Sequence, residues 1–441
     1  MERVEPTDLI TLWPGEHQPT MEQVLSRLQG QCQGDITVLE SGSSLGLDDA
    51  QDSARPLWKV VVQFPAGAEW CAVPAILWAE PMRQLPQQTI THLKAESIKW
   101  VIGLETVLWP DDPTGHFVSL LRLLAKAFPD SPAIMDVNKE GWHVRDELDR
   151  DIVPEDSEVS ESILWFIHAV GAEPDPASRS TVWLYTQGLH RCGWPELEML
   201  DVPHQHAGSA MALLNGVGEL LIEDGTPPPG EPFEVGPDLA ITLQPWNEVA
   251  AFAEQGKPGH VEHRENHNNE KLIGVRAAVC GVEPVGTYRK VWTWPADVVK
   301  KLQQQGNTAI YKTRRATHRQ ERLARTTWNE LAAAFASLKP AARSADENSQ
   351  AIFLVQAGFQ KPGSAGREHL WFAVQRIQGR RAQGRLVHPP RDIAHLREGE
   401  VIKIDPGMVS DWQVLTRQGV FGPDNVGGMK QAIQRIHEAT A

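Results

Sequence analysis

The stretch Arg367-Glu368-His369-Leu370-Trp371-Phe372-Ala373-Val374 is rich in apolar and aromatic residues, and it predicts a β-strand over 369–377. It belongs to a run of short predicted strands over 351–359, 369–377, 382–388, 401–404 and 412–415. Five short strands in one compact segment favour a small, highly curved antiparallel sheet that is barrel-like or half-open. A long helix is predicted over 317–338, basic at its start and apolar later. The closing part of the chain is therefore expected to be a helix followed by an antiparallel sheet over 351–415.

The rest of the chain mixes helix and strand patterns, so the predicted fold class is α+β with an N-terminal α/β region. Thr20 is placed to cap a helix over 21–28, residues 57–64 read as a strand, and an apolar stripe predicts a helix over 116–128. Its members are Phe117, Leu120, Leu121, Leu124 and Phe128. A length of 441 residues suggests several domains. We predict an N-terminal α/β segment over 1–55, an α+β domain over 56–256 and a C-terminal domain over 271–441.

Composition limits the possible functions. The 42 basic and 57 acidic residues give a net charge of −15, which argues against nucleic-acid binding by the whole chain. The beginning of the chain has no signal-peptide pattern and no apolar run approaches a membrane span, so a cytoplasmic location without membrane contact is expected. The four cysteines are far apart, which indicates neither a disulfide framework nor a metal site.

Motifs near the C-terminus resemble a bacterial family. Besides the 367–374 stretch, they are Gly384-Arg385-Leu386, Leu396-Arg397-Glu398-Gly399-Glu400, Ser410-Asp411-Trp412 and, in the preceding helix, Ala324-Arg325-Thr326-Thr327-Trp328. Together they resemble the domain-of-unknown-function family catalogued as number 2314, over about residues 300–415.

A second resemblance lies in the N-terminal half. Its residues are Trp183-Leu184-Tyr185-Thr186-Gln187-Gly188-Leu189, Arg191, Gly193, Pro195-Glu196-Leu197-Glu198 and Asp136-Val137-Asn138. They are similar to the family catalogued as number 4026, over about 55–255. Neither resemblance implies an activity or a catalytic residue. Members of such families often occur near bacterial toxin and immunity genes, which implies an immunity or stress-associated adaptor by association only.

The first candidate catalytic cluster is His190 with Glu196 and Glu198. A histidine and carboxylates near a strand end are suited to acid–base chemistry. Gly188 and Gly193 fit the turns of an ordinary hairpin equally well, however.

The second candidate is a corner formed by His369, Ser410 and Asp411. His369 would be the base, Asp411 its orienting group and Ser410 the nucleophile. No glycine elbow surrounds Ser410, and a hydrogen-bonded structural corner is the competing interpretation.

Two histidine groups are candidate metal ligands. His204 and His206 lie near Asp201, and His260, His263 and His267 share a face if their segment is helical. The glycine and asparagines around the second group favour an exposed loop instead. The chain has no phosphate-binding glycine motif, so no cofactor is predicted.

Basic residues at the start of the long predicted helix form a candidate interaction surface: Arg314, Arg315, Arg319, Arg322 and Arg325. They are spaced to line one helix face, which could contact an acidic protein or a phosphate backbone, or be only solvated.

Three functions remain open. The leading one is a non-enzymatic protein-interaction module with a protein partner. The second is a hydrolase-like enzyme that uses a histidine–carboxylate cluster. The third is nucleic-acid binding through the basic helix, which is the least expected of the three.

Overall fold

The computed structural model describes residues 5–41, 56–65, 73–83, 85–93, 95–171, 180–236, 239–254, 256–264, 276–285, 289–304, 310–343, 350–363 and 366–440. The chain divides into two compact units, which meet in sequence between residues 313 and 314. The described helices and strands confirm the α+β class predicted from the sequence. The predicted domain limits stay a prediction.

The described part of the first unit contains two sheets. Sheet 1 is antiparallel, with strand order β2-β3-β4-β5-β1-β6-β7. Its strands are β1 (Thr7–Trp13), β2 (Thr37–Ser41), β3 (Trp58–Gln63), β4 (Ala75–Pro81), β5 (Trp100–Thr106), β6 (Ala133–Asp136) and β7 (Gly141–Val144).

The helices of this region are α1 (Met21–Gln29), α2 (Gln87–Leu93), α3 (Pro113–Ala127) and the short α4 (Arg145–Glu147), which runs into a π-helical turn, Leu148–Ile152. Thr20 and Gln23 form a reciprocal capping box at the start of α1, so the predicted cap is confirmed. The predicted stripe of α3 is also confirmed, since Phe117, Leu120 and Leu121 are fully buried in the core.

Sheet 2 has the order β11-β12-β13-β10-β9-β8, and β14 pairs with β13. Its strands are β8 (Phe166–Gly171), β9 (Thr181–Gln187), β10 (Glu196–Pro203), β11 (Phe233–Gly236), β12 (Leu239–Pro245), β13 (Arg276–Val285) and β14 (Arg289–Thr293). Only β10 and β13 are parallel among the described strand pairs. The helices are α5 (Ala207–Asp224), α6 (Trp246–Ala250), α7 (Val261–Arg264) and α8 (Pro295–Gln304).

Among its described residues, the second unit forms one antiparallel sheet and three α-helices: α9 (Arg314–Thr326), α10 (Trp328–Ser337) and α11 (Val426–Thr440). The strand order is β18-β17-β16-β15-β19-β20. The strands are β15 (Ala351–Gln360), β16 (Arg367–Gln378), β17 (Arg381–Leu386), β18 (Val401–Ile404), β19 (Val409–Thr416) and β20 (Gly419–Phe421).

Two predictions for this unit are corrected. The sheet runs on to Phe421 and is open, because within the described residues β18 pairs with β17 alone and β20 with β19 alone. Of the two predicted forms, the described sheet is therefore the open one, and it does not close into a barrel. The predicted helix 317–338 is broken at Thr327, whose hydroxyl donates to the Leu323 carbonyl at 2.6 Å and accepts the Trp412 indole N–H at 3.0 Å. A hydroxyl that bonds back to the preceding turn bends a helix.

No helix in the described ranges combines the length and the apolar composition that a membrane crossing requires.

Candidate functional site

Glu196 is the centre of a buried polar turn at the start of β10. Its carboxylate accepts hydrogen bonds from Gly188 N at 2.6 Å, His190 N at 3.1 Å and Thr186 Oγ1 at 2.7 Å, and His190 Nδ1 lies 2.6 Å away. Three of these contacts involve Oε1 and one involves Oε2, so both oxygens of the carboxylate are engaged. The structure thus brings His190 and Glu196 together, but it does so in the protein interior.

The protonation of Glu196 reflects these bonds. Burial alone would raise the pKa of Glu196, but the hydrogen bonds and charge of His190, with those from Thr186 and Gly188, hold it below its usual value. The carboxylate is therefore an ionised anchor for the turn between β9 and β10.

Glu198 lies on the same face of β10 but has different partners. Arg264 donates to both carboxylate oxygens, at 2.7 and 2.8 Å, and the Trp183 indole N–H donates at 3.2 Å. The Arg264 guanidinium also contacts the faces of Trp183 and Trp246 at 4.9 and 4.4 Å. Glu198 therefore holds α7 to sheet 2, and no hydrogen bond or ion pair in the described part of the chain joins it to His190.

Sequence reasoning missed the deepest ion pair of this region. Arg191 donates to both oxygens of Asp136, at 2.8 and 2.9 Å, and both side chains are fully buried. The guanidinium also lies 4.4 Å from the centre of the Phe117 ring. Both residues belong to the motifs that resemble the family numbered 4026, but nothing in their spacing of 55 positions signals that they meet.

The first histidine pair does not form a metal site in the structure. His204 is exposed and His206 is half-buried in a short turn that leads into α5. Asp201, the third proposed ligand, accepts instead from the Trp294 indole N–H at 3.1 Å and lies 3.7 Å from Lys257 Nζ.

The second histidine group is only partly described. His260 Nδ1 accepts a long hydrogen bond of 3.4 Å from Glu262 N. His263 belongs to α7, and its side chain and the whole of His267 lie outside the described residues. Where the structure is described, no three histidine, cysteine or acidic side chains converge as metal ligands.

The predicted corner in the second unit divides between two faces of β19. Ser410 Oγ lies 2.8 Å from His369 Nδ1 and 3.1 Å from Gln356 Oε1. Asp411 accepts from Gln320 of α9 at 2.8 Å and from its own neighbour Trp412 N at 2.7 Å. Successive strand residues point to opposite faces, so the geometry joins His369 to Ser410 and directs Asp411 toward α9.

The basic residues of α9 differ in their surroundings. Arg314, Arg315, Arg322 and Arg325 are exposed, whereas Arg319 is half-buried. Arg325 donates to the carbonyls of Val409 at 3.3 Å and Gly407 at 3.2 Å, and it pairs with Glu321. It therefore fixes the turn before β19.

Two neighbouring concave surfaces, here called the arginine groove, lie beside this helix pair. A groove of about 600 Å³ runs between α10 and the β16–β17 hairpin and is lined by Arg343, Arg376 and Arg380. A smaller cavity of about 170 Å³ shares Arg380 and adds Arg325 and Trp328. The described lining of both contains no acidic side chain.

Contacts of Trp328 and Arg343 anchor the wall of the arginine groove. The Trp328 indole N–H donates to the Gly379 carbonyl at 3.1 Å, which ties α10 to the hairpin turn. Arg343 lies over the Phe335 ring at 3.9 Å and donates to the Phe335 carbonyl. Trp328 and Phe335 are themselves buried, so the groove presents guanidinium groups rather than aromatic faces.

Comparison with known proteins finds two family models along the chain. Residues 167–273 match the family described as Protein of unknown function (DUF4026) C-terminal. No curated protein and no solved structure matches the chain. The match over residues 167–273 both begins and ends later than the predicted range 55–255. Residues 324–438 match the family described as Uncharacterized protein conserved in bacteria (DUF2314), so both predicted resemblances are confirmed.

Proposed function

We propose that the protein is a non-enzymatic interaction module whose second unit binds an acidic segment of a protein partner in the arginine groove. The observation that carries this proposal is the convergence of Arg343, Arg376 and Arg380 on one groove whose described lining contains no acidic side chain, with Arg380 also lining the smaller cavity beside it. Clustered arginines are a recurring means of recognising carboxylate-rich or phosphorylated segments.

The charge distribution along the chain supports an acidic partner. Residues 314–441 contain 19 Lys and Arg against 12 Asp and Glu, a net charge of +7. The first 313 residues carry −22. A basic surface of this kind increases the association rate of an acidic partner and makes that rate sensitive to salt.

The geometry favours a protein over a nucleic acid as the partner. Proteins that hold single strands combine a basic groove with aromatic rings on which bases stack. Trp328 and Phe335, the aromatic residues of the groove, are each 4% exposed and cannot offer a free face. An immunity role would be the narrower case in which the partner is a toxin, and it rests on the association of the families alone.

The hydrolase hypothesis receives less support. Glu196 and Glu198 have their oxygens engaged by structural donors, and Asp411 accepts a hydrogen bond from Gln320 of α9. A general base needs a lone pair that can reach substrate.

Site-specific photo-crosslinking in the producing cells tests the proposal. A photoreactive amino acid replaces Asn329, which lines the arginine groove, or Gln431 on α11 as the control position. We expect a crosslink to an acidic protein segment from position 329 alone, and its loss when R376E and R380E are added. The exposed Arg417 supplies the charge control, since R417E should keep the crosslink. Crosslinks to nucleic acid, or equal crosslinks from both positions, would overturn the proposal.

A further inference from the structure

The Arg276 side chain is a buried cation that forms no hydrogen bond within the part of the chain that the structure describes. It is the first residue of β13 and is 5% exposed. Its Nε and Nη1 atoms are buried and have no partner among the described residues. Arg191 and Arg264, by contrast, each bind a carboxylate through two nitrogens. A buried charged group that lacks hydrogen bonds is costly, so Arg276 needs an acceptor from outside the described contacts.

Aromatic side chains form the cradle of this cation. The Arg276 guanidinium lies 4.5 Å from the centre of the Tyr185 ring and 6.0 Å from that of Trp183. His168 stacks on the same Tyr185 ring at 4.9 Å with an angle of 17° between the planes. The Nε2 atom of His168 is likewise buried without a partner. Arg276 and His168 therefore both contact one tyrosine ring, and each has a buried nitrogen atom without a partner among the described residues.

The nearby carboxylates do not serve as acceptors for Arg276. Glu196 is Arg276's register partner on β10, yet its oxygens accept from Thr186, Gly188 and His190. Glu198 accepts from Arg264 and Trp183. Burial lowers the pKa of Arg276, while the charges of Glu198 and Glu196 act to raise it. The two carboxylates contribute attraction at a distance but leave the guanidinium N–H groups unbound.

We propose that Arg276, with His168 and the Tyr185 ring, is a binding site for a small ligand that carries one carboxylate. A carboxylate supplies two acceptor oxygens in one plane, which match the parallel N–H groups of a guanidinium. The single charge matters because Glu196 and Glu198 are close, and a phosphate dianion would meet stronger repulsion from them.

Thermal unfolding of the full chain tests this site, with sodium benzoate as the probe and sodium chloride at matched ionic strength as the reference. The wild type should gain about 2–4 °C in Tm at benzoate concentrations several times Kd. R276M should show no gain. Without benzoate, R276M should unfold at the same temperature as the wild type or higher, because it removes an unpaired buried charge.

Two further variants keep the result interpretable. R276K retains the charge but not the planar fork, and its benzoate-dependent gain should fall by more than half. The exposed Arg150 supplies R150M, which should behave as the wild type. An equal gain with inorganic phosphate would overturn the carboxylate assignment. An equal gain in R276M, no gain in the wild type, or a loss of Tm in unliganded R276M would overturn the site.

Discussion

Asp136 and Arg191 form a fully buried, two-bond ion pair that joins the two sheets of the first unit. Asp136 ends β6 of sheet 1, and Arg191 lies in the turn between β9 and β10 of sheet 2. Both charges are removed from water, so neither can lose its partner without a large penalty. The pair therefore fixes how the sheets pack more than it adds to net stability.

We predict that Asp136→Ala lowers the free energy of unfolding by about 3–5 kcal/mol, because Arg191 is left charged and buried. Urea unfolding followed by circular dichroism measures the change. Asp151→Ala is the control, since the Arg150–Asp151 pair is exposed and should contribute about 0–1 kcal/mol. Equal effects of the two substitutions would contradict the structural role of Asp136.

The break between α9 and α10 leads to a second prediction. Thr327→Val removes the acceptor of the buried Trp412 indole N–H, and the free energy of unfolding should fall by about 1–3 kcal/mol. Denaturant unfolding of Thr327→Val and of the control Thr326→Val provides the measurement. Thr326→Val removes a neighbouring hydroxyl that is exposed, and it should cost less than about 0.5 kcal/mol. A Thr327 effect no larger than that of Thr326 would show that the bond is unimportant.

Asp8 makes the stability of the first unit depend on pH. Burial, together with Glu105, Asp136 and Glu80, raises the pKa of Asp8 to about 7 from an ordinary 3.8. Between these values the folded protein holds a proton that the unfolded chain releases, so stability falls as pH rises from about 4 to 7. Asp8→Asn should remove this fall, and its stability gain over the wild type should grow to at most about 4 kcal/mol above pH 7.

Urea midpoints at pH 5 and pH 8 measure the Asp8 effect. A gain of Asp8→Asn that is the same at both pH values would show that Asp8 does not titrate in this window.

Local signals in the sequence predicted local structure well. The Thr20 hydroxyl accepts a hydrogen bond from Gln23 N, three residues along the chain. The apolar residues of α3 recur at the spacing of a helix. Both features were therefore predictable without knowledge of distant residues. The contact of His369 with Ser410 is not local. It depends on the sheet order, in which β16 and β19 both pair with β15.

Features that depend on distant residues were not predictable. The helix break needs Trp412, which lies 85 positions from Thr327. Arg376 and Arg380 belong to the β16–β17 hairpin, whereas Arg343 follows α10, and only the fold brings them to one groove. Arg276 gave no signal at all, because an unpaired cation is recognised by the absence of neighbours that sequence does not show.

Native mass spectrometry of the protein purified gently from the cells that produce it tests the proposed interaction most directly. We predict a stoichiometric complex of the wild type with one acidic protein, its loss in the R376E/R380E double variant, and its retention in R417E. The proposal would be contradicted if the wild type and the double variant carry the same partner. It would also be contradicted if the wild type carries no protein partner.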